Sequence, residues 1–135
     1  MNLRLKKDEI EKYSRQIILK DIGILGQKEK IKSKVLIIGM GGLGCPVAEF
    51  LTRAGIGTLG IVDPDKVELS NIHRQGLYDI KDLKKFKVLA ALKKLNKIHP
   101  NTKVTCYKLR LNEKNIIKII KNYDYIVDGS DNFKT

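Results

Sequence analysis

One stretch of the chain, residues 35–44, decides the fold and reads VLIIGMGGLG. Its first four residues are apolar without alternation, which predicts a short strand buried on both faces of a parallel sheet. Glycines then interrupt the run, and from Gly44 to Gly55 apolar residues recur at helical spacing. A second apolar run follows at residues 58–63. These segments predict a strand–helix–strand unit with a right-handed crossover.

The alternation of strands and helices continues towards the C-terminus. Apolar runs predict strands over 104–109 and 123–128, and helical spacing predicts a helix that ends before Pro100 and another over 113–121. This order predicts an α/β fold, a Rossmann-like, doubly wound, mainly parallel sheet with helices on both faces. Residues 1–34 are polar with apolar residues at helical spacing, so we expect an N-terminal helical arm followed by one domain, residues 35–135.

Length and charge narrow the function classes. The 135 residues, 42% apolar and 31% charged, fit one globular domain and argue against a disordered chain. A net charge of +12 would suit nucleic acid or an anionic membrane. However, most of the cations are lysines typical of a solvated surface, and no nucleic-acid reader motif or aromatic platform accompanies them. We therefore expect no nucleic-acid partner.

Membrane and metal signals are weak. No uncharged run reaches the roughly 18 to 20 residues that span a bilayer, and the N-terminus lacks the apolar centre of a secretory signal. We expect no membrane association and a cytoplasmic location, or the stroma or matrix of an organelle. Cys45 and Cys106 form no CxxC pair, so this segment does not support zinc, and both are expected to be buried. His73 and His99 are expected to be surface or hydrogen-bonded groups, and Tyr13 a packing residue.

The glycine loop predicts a phosphate site. Gly39, Gly41 and Gly44 fit the GxGxxG pattern between a predicted strand and a predicted helix. Such a loop lets backbone N–H groups approach a phosphate at a helix N-terminus, where the helix dipole favours negative charge. Asp63, at the end of the second strand, is placed to accept hydrogen bonds from ribose hydroxyls. The motif does not select the nucleotide, so an NAD-dependent oxidoreductase domain is one alternative.

Cations near the loop favour a triphosphate, because a departing pyrophosphate needs more positive charge than a bound dinucleotide. Arg74 lies in the loop after the second strand, Lys87 starts the next helix, and Asp131 and Asn132 follow the fourth strand. All of these positions belong to the carboxyl edge of the sheet, where ligands bind. The competing interpretation is that Arg74 and Lys87 are solvated cations and that Asp131 caps a helix.

In this order and spacing the residues resemble the ubiquitin-activating-enzyme-like superfamily, above all its molybdopterin-synthase and thiamine-biosynthesis sulfur-carrier adenylyltransferases. The resemblance runs from about residue 8 to the last residue. It implies an enzyme that uses ATP and magnesium to adenylate the C-terminal glycine carboxylate of a small ubiquitin-like sulfur carrier protein. The residues that carry it are YSRQ at 13–16, the loop 39–44, DxDxVExSNxxRQ at 63–75, Lys87, and DxxDNF at 128–133.

The resemblance also implies roles for single residues. Gly42 would approach the phosphates, Asp63 would hold the ribose, and Asp131 would bind magnesium. The residue Arg15 would reach the ATP site of a neighbouring protomer, which implies a homodimer with shared sites. The catalytic set implied is Arg15, Arg74, Lys87 and Asp131. The nucleotide-binding set implied is Gly39, Gly41, Gly42, Gly44, Asp63, Asp65, Ser70, Asn71, Ile72, His73, Arg74, Gln75, Lys87, Asp131 and Asn132.

The chain departs from the family pattern in two ways. Family members usually carry glycine a few residues before the lysine that matches Lys87, often as Gly-x-x-Lys, but residues 84–86 are Lys-Lys-Phe here. We therefore expect an altered approach to that lysine. The family also continues well beyond Thr135, with the rest of the sheet and zinc-binding CxxC pairs. The chain is thus interpreted as a truncated ATP-binding half, and a non-catalytic dimerisation or carrier-binding fragment is a further alternative.

Overall fold

A computed structural model describes residues 3–131. Four strands form one all-parallel sheet in the order β3-β2-β1-β4. Their bounds are β1 (Lys34–Ile38), β2 (Thr58–Val62), β3 (Lys103–Tyr107) and β4 (Tyr125–Asp128). The chain moves outward from β1 to β3 and then returns to the other side of β1 for β4. The Rossmann-like fold predicted from the sequence is confirmed, and its switch point lies between β1 and β4, where such sheets bind ligands.

Helices precede the sheet and connect its strands. In the described part of the chain, no helix is both long enough and apolar enough to cross a membrane. Two 3₁₀ turns, Leu69–Asn71 and Ile80–Asp82, lie in the loop between β2 and the following helix. The α-helices of residues 3–131 are α1 (Lys7–Lys12), α2 (Ser14–Ile17), α3 (Gly23–Lys32), α4 (Gly44–Arg53), α5 (Lys87–Ile98) and α6 (Ile116–Ile120).

Strand β1 is buried on both faces, as its unbroken apolar run predicts. On one face Ile37 packs in a cluster with Ala48 of α4 and Leu95 of α5. On the other face Leu36 packs with Ile119 of α6. Both Leu36 and Ile37 are completely buried. Helices therefore cover both faces of the sheet, and the core holds β1 and its glycine loop in place.

The N-terminal arm is joined to the sheet by a buried chain of hydrogen bonds that begins at Tyr13. The Thr102 hydroxyl donates to the Ile56 carbonyl at 2.8 Å, so its oxygen accepts from Nδ1–H of His99 at 2.9 Å. Nε2 of His99 is then free to accept from the Tyr13 hydroxyl at 2.8 Å. Tyr13 is buried, which agrees with the packing role expected for it.

A second contact fixes the arm against the turn after α4. Nε2 of Gln16 donates to Oε1 of Gln27 and, at 2.8 Å, to the Ala54 carbonyl, and Nε2 of Gln27 donates to the same carbonyl at 3.1 Å. Gly55 follows with φ +90°, and a Cβ there would lie 2.7 Å from both Tyr13 and Gln27. The arm therefore packs directly on this turn, although its division from the domain at residue 34 remains an interpretation.

Helix α6 is shorter than the predicted 113–121, and β3 ends before the predicted residue 109. Two asparagines cap a separate turn that precedes α6. Oδ1 of Asn112 accepts from the N–H groups of Lys114 and Asn115 at 2.9 and 3.1 Å, and Oδ1 of Asn115 accepts from Asn112 N–H at 2.9 Å. The Ile116 N–H donates to the Asn112 carbonyl at 3.0 Å, so residues 113–115 form a capped turn and α6 begins after it.

The approach to Lys87 is built without the glycine that the family pattern favours. Lys84 adopts φ +66°, a left-handed conformation that suits glycine. Its N–H donates to the Val67 carbonyl at 2.9 Å, Val67 N–H donates to Lys85 at 2.8 Å, and Lys87 N–H donates to Asp65 at 3.0 Å. This short antiparallel pairing leads the chain into α5 at the expected place.

Candidate nucleotide-binding site

A cavity of about 620 Å³ opens at the carboxyl edge of the sheet, between the glycine loop, the loop after β2, the start of α5 and the segments after β3 and β4. Its volume lies within the range of small-molecule sites. Most of the residues singled out from the sequence border it. They are Gly39, Gly41, Gly42, Asp63, Asp65, Asn71, Arg74, Gln75, Lys87 and Asp131.

Two glycines of the loop are required by the protein's own packing. Gly39 has φ +88°, and a Cβ there would lie 2.9 Å from the Gly129 carbonyl oxygen. A Cβ on Gly44 would lie 1.8 Å from the Gly39 carbonyl oxygen, far inside van der Waals contact. These positions let α4 start directly against the end of β1.

The glycines between them have no such requirement. Neither Gly41 nor Gly42 has a positive φ. A Cβ on Gly41 would lie 3.5 Å from Nε2 of Gln75, and one on Gly42 would lie 3.8 Å from the Arg74 side chain, both ordinary contacts. The missing side chains therefore leave space on the cavity side, as close approach of a phosphate to backbone N–H groups requires.

Asp63 joins the glycine loop to the loop that follows β2. Its carboxylate is buried, with Oδ2 accepting from Met40 N–H and Oδ1 accepting from Asp65 N–H, both at 2.8 Å. Each carboxylate oxygen can accept a further hydrogen bond. The arrangement therefore leaves capacity for a donor from the cavity, such as a ribose hydroxyl.

Lys87 is the most unusual cation of the cavity. It is the first residue of α5, its side chain lies at the cavity, and the residue is only 7% exposed. Within residues 3–131 no carboxylate forms an ion pair with its Nζ. A lysine is rarely buried unless it is paired. The position therefore indicates an anionic ligand rather than a solvated surface charge.

The loop that carries Arg74 is held by its own polar groups. Oδ1 of Asn71 accepts from Glu68 N–H at 2.9 Å. Nη1 of Arg74 donates to the Ser70 carbonyl at 2.9 Å, while the arginine remains exposed at the cavity. These contacts place the guanidinium beside the glycine loop and leave other N–H donors of its fork for a ligand.

Gln75 contributes an unsatisfied polar group. The residue is 2% exposed and borders the cavity, yet its Oε1 has no hydrogen-bond partner in the part of the chain that the structure describes. A buried polar atom without a partner costs roughly 1–3 kcal/mol. Its position beside Gly41 indicates that a bound molecule completes the site.

Five of the predicted residues do not border the cavity. Gly44 serves packing, Arg15 is exposed on α2, and Ser70, Ile72 and His73 lie in the loop before Arg74. Their part in binding remains a prediction. Asn132 lies outside the described residues.

Several residues that border the cavity were not predicted as site residues, above all Lys66, Arg110 and Glu68, the last of which belongs to the motif at 63–75. Arg110 follows β3 at the carboxyl edge, so the argument used for Asp131 after β4 applies equally to it. The remaining missed residues are Ile38, Leu43, Val62, Pro64, Leu109, Leu111, Gly129 and Ser130.

The formal charges around the cavity balance. Its cations are Lys66, Arg74, Lys87 and Arg110, and its acids are Asp63, Asp65, Glu68 and Asp131. A triphosphate would therefore enter a site without net positive charge, which favours its arrival with a divalent cation. Among the described residues no cluster of three or more His, Cys, Asp or Glu could hold a metal ion.

Known proteins resemble this chain in sequence. The sulfur carrier protein adenylyltransferase of Thermus thermophilus is 43% identical over 133 residues, which are 98% of this chain and 49% of that protein. The adenylyltransferase and sulfurtransferase MOCS3 of Dictyostelium discoideum is 48% identical over 131 residues, 97% of this chain and 31% of that protein. The chain thus spans about half or less of the length of these relatives.

A solved structure and a family model also match this chain. The crystal structure of PaaA matches with a TM-score of 0.85 and 32% identity, over 95% of this chain and 42% of that chain. The family model described as ThiF family matches residues 13–135. Because that match covers almost the whole chain, including the glycine loop and every described residue at the cavity, the chain belongs to the ThiF family.

Proposed function

We propose that the chain is the ATP-binding part of an adenylyltransferase that activates the C-terminal glycine carboxylate of a ubiquitin-like sulfur carrier protein. The observation that carries the proposal is the cavity itself. It combines two glycines at which a Cβ would meet only ordinary contacts with a buried lysine and a buried carboxamide oxygen that have no anionic partner and no hydrogen-bond donor, respectively, among residues 3–131. An anionic ligand with polar groups would satisfy all three features. The names of the adenylyltransferase relatives support ATP as that ligand.

The reaction needs no general base. A C-terminal carboxylate has a pKa of roughly 3.3–3.7 and is ionised at neutral pH. Its oxygen forms a bond to the α-phosphorus of ATP while the bond from that phosphorus to the oxygen bridging to the β-phosphate breaks. Pyrophosphate leaves with the electron pair, and an acyl adenylate forms. Catalysis therefore consists of alignment and of stabilising the charge that develops on pyrophosphate.

Different residues of the cavity bind the phosphates, bind the ribose and stabilise the developing charge. Backbone N–H groups at Gly41 and Gly42 contact the phosphates, and Asp63 accepts from the ribose. Arg74 and Lys87 stabilise the departing pyrophosphate, because both carry donors at the cavity. Magnesium, when bound, would neutralise phosphate charge, and Asp131, which follows β4 and borders the cavity, would hold it.

Arg15 has a different place in the proposal. It lies on α2, exposed and away from the cavity of its own chain. A role at the nucleotide therefore requires a second copy, so the proposal includes a homodimer whose sites are shared. The carrier serves molybdopterin or thiamine biosynthesis, and the location is cytoplasmic or organellar.

Ligand-induced stabilisation tests the nucleotide. A ligand at 100 times its Kd stabilises the folded state by about 2.7 kcal/mol if it binds only that state. We expect ATP with Mg²⁺ to raise the Tm of the chain and NAD to leave it unchanged. A rise with NAD alone would establish the oxidoreductase alternative and overturn the proposal.

A substitution locates the binding. Lys87→Ala removes the buried cation and is expected to weaken ATP binding about tenfold or more, since a charge-assisted hydrogen bond contributes roughly 1.5–3 kcal/mol. Lys97→Ala removes an exposed lysine of the same helix and is expected to leave the Kd unchanged. Isothermal titration calorimetry measures both. Equal effects of the two substitutions would show that only overall charge matters.

Adenylation itself is measured by carrier-dependent exchange of labelled pyrophosphate into ATP. The assay compares the chain with a version extended to the length of its relatives. We expect exchange from the extended version in the presence of a sulfur carrier. If the extended version shows no exchange with either a molybdopterin-type or a thiamine-type carrier, adenylation is wrong.

A further inference from the structure

The peptide unit that joins Met40 to Gly41 is held from the protein side. The Met40 carbonyl accepts a hydrogen bond from the Tyr78 hydroxyl at 2.6 Å and a weaker one from Sγ of Cys45 at 3.5 Å. Met40 N–H, which belongs to the preceding peptide unit, donates to Asp63 at 2.8 Å. Met40 and Tyr78 are buried, and neither borders the cavity. The shorter of the two bonds to the Met40 carbonyl thus comes from a residue behind the loop.

The geometry of a peptide bond turns this contact into an orientation. The Met40 carbonyl and the Gly41 N–H belong to one planar unit, and the described residues contain no cis peptide bond. In a trans unit the C=O and N–H point in opposite directions. Because Tyr78 holds the carbonyl towards the core, the Gly41 N–H points away from it. Gly41 borders the cavity, and within residues 3–131 its N–H has no protein acceptor.

We propose that Tyr78 is a positioning residue of the nucleotide site, whose hydroxyl aims the Gly41 N–H at the phosphates of the bound nucleotide. The inference rests on the proposed function, because it needs a phosphate in the cavity. It adds a residue that lies outside the cavity and outside the family motifs. Burial raises the pKa of the Tyr78 hydroxyl well above its ordinary value of 10.0, so the group remains a donor at every working pH.

Removing the hydroxyl alone tests the proposal. Tyr78→Phe keeps the ring that packs in the core and deletes only the donor. The matched control is Tyr13→Phe, which deletes the hydroxyl of another buried tyrosine, hydrogen-bonded at 2.8 Å to His99 and remote from the glycine loop. Both variants lose one buried hydrogen bond, so both are expected to have a lower Tm. Circular dichroism confirms that each variant folds.

Nucleotide affinity separates orientation from general loosening. Calorimetry with ATP and Mg²⁺, and competition with adenosine, give the two dissociation constants. Tyr78→Phe is expected to weaken ATP about five- to tenfold, the loss of roughly one hydrogen bond, and to leave adenosine unchanged, because adenosine has no phosphate. Tyr13→Phe is expected to leave both constants unchanged.

The other outcomes are equally informative. If Tyr78→Phe binds ATP as tightly as the original chain, or loses ATP and adenosine to the same extent, the positioning role is wrong while the ATP site stands. If the unsubstituted chain binds no ATP at all, the proposed function fails and the inference fails with it.

Discussion

Gly42 and Gly44 lie two residues apart in the glycine loop, but a side chain is unfavourable at each for a different reason. At Gly42 it would occupy space proposed for the ligand, and at Gly44 it would overlap the protein backbone. Gly42→Ala would place its Cβ 3.8 Å from Arg74, so we expect the free energy of unfolding to change by less than about 0.5 kcal/mol. The same methyl group would occupy ligand space and weaken ATP about tenfold, or about 1.4 kcal/mol. Gly44→Ala would place its Cβ 1.8 Å from a backbone oxygen and is expected to cost about 2–3 kcal/mol of stability.

Urea unfolding and calorimetry on the two variants check this division. If Gly42→Ala loses as much stability as Gly44→Ala, then Gly42 is also required for packing within the protein, and the proposed division is wrong. Unchanged ATP affinity in a folded Gly42→Ala variant would place the phosphates elsewhere.

A substitution at Lys84 tests whether its backbone conformation is strained. Its φ of +66° places a side chain in left-handed backbone, which costs about 1–2 kcal/mol relative to the right-handed region. Lys84→Gly relieves that strain but adds unfolded-state entropy of about 0.5–1 kcal/mol, so we expect a net gain of about 0.5–1 kcal/mol. Lys85→Gly, where φ is not positive, is expected to destabilise the chain. Chemical denaturation measures both, and stabilisation by Lys85→Gly or destabilisation by Lys84→Gly would contradict the strain argument.

At the scale of elements, we expect the contact between the arm and the sheet to depend on pH. His99 links Tyr13 to Thr102, and its pKa is lowered from 6.5 by burial first and by Lys12 second, with Glu9 opposing. As the pH falls through 6.5, His99 is therefore protonated in the unfolded chain before it is protonated in the folded chain. The free energy of unfolding is expected to decrease as the pH falls below 6.5. The slope contributed by one group does not exceed about 1.4 kcal/mol per pH unit.

Urea unfolding at pH 7.5 and 5.5 tests the linkage. His99→Gln removes the titrating group, so the fall in stability between the two pH values should be smaller than in the unsubstituted chain. An identical fall in both proteins would assign the pH dependence to other groups.

Strands and helices could be predicted from the sequence where a single physical signal determines them. The unbroken run in β1 predicted burial on both faces because only a covered strand tolerates apolar residues on both sides. The start of α6 was not predictable from apolar spacing, because a separate turn, capped by Asn112 and Asn115, occupies residues 113–115. The role of Tyr78 is equally invisible in the sequence, since its partner Met40 lies 38 residues away and the contact depends on how the loop after β2 folds back. The expectation that ligands bind at the carboxyl edge of the sheet identified most of the predicted residues that border the cavity. The same expectation applies to Arg110, which follows β3.

At the scale of the whole molecule, the exposed apolar side chains include residues of the arm and of the edge strand β4. In the arm, Ile18 and Leu25 are 72% and 77% exposed. On β4, at the edge of the sheet, Tyr125 and Ile126 are 63% and 44% exposed. Apolar groups in such positions favour burial against further protein. The arm also carries Arg15, so a second copy on the arm is the arrangement that would bring this arginine to a nucleotide.

A mixing experiment decides whether sites are shared between copies. In a two-fold symmetric dimer, each site would combine Lys87 of one protomer with Arg15 of its partner. Arg15→Ala and Lys87→Ala are each expected to weaken ATP binding about tenfold or more. After the two variants are mixed and exchanged at random, one of the two sites in every mixed dimer regains both residues. About a quarter of all sites should therefore bind ATP normally. Calorimetry gives this stoichiometry directly, and a mixture that binds no better than its components would show that Arg15 does not act across a dimer.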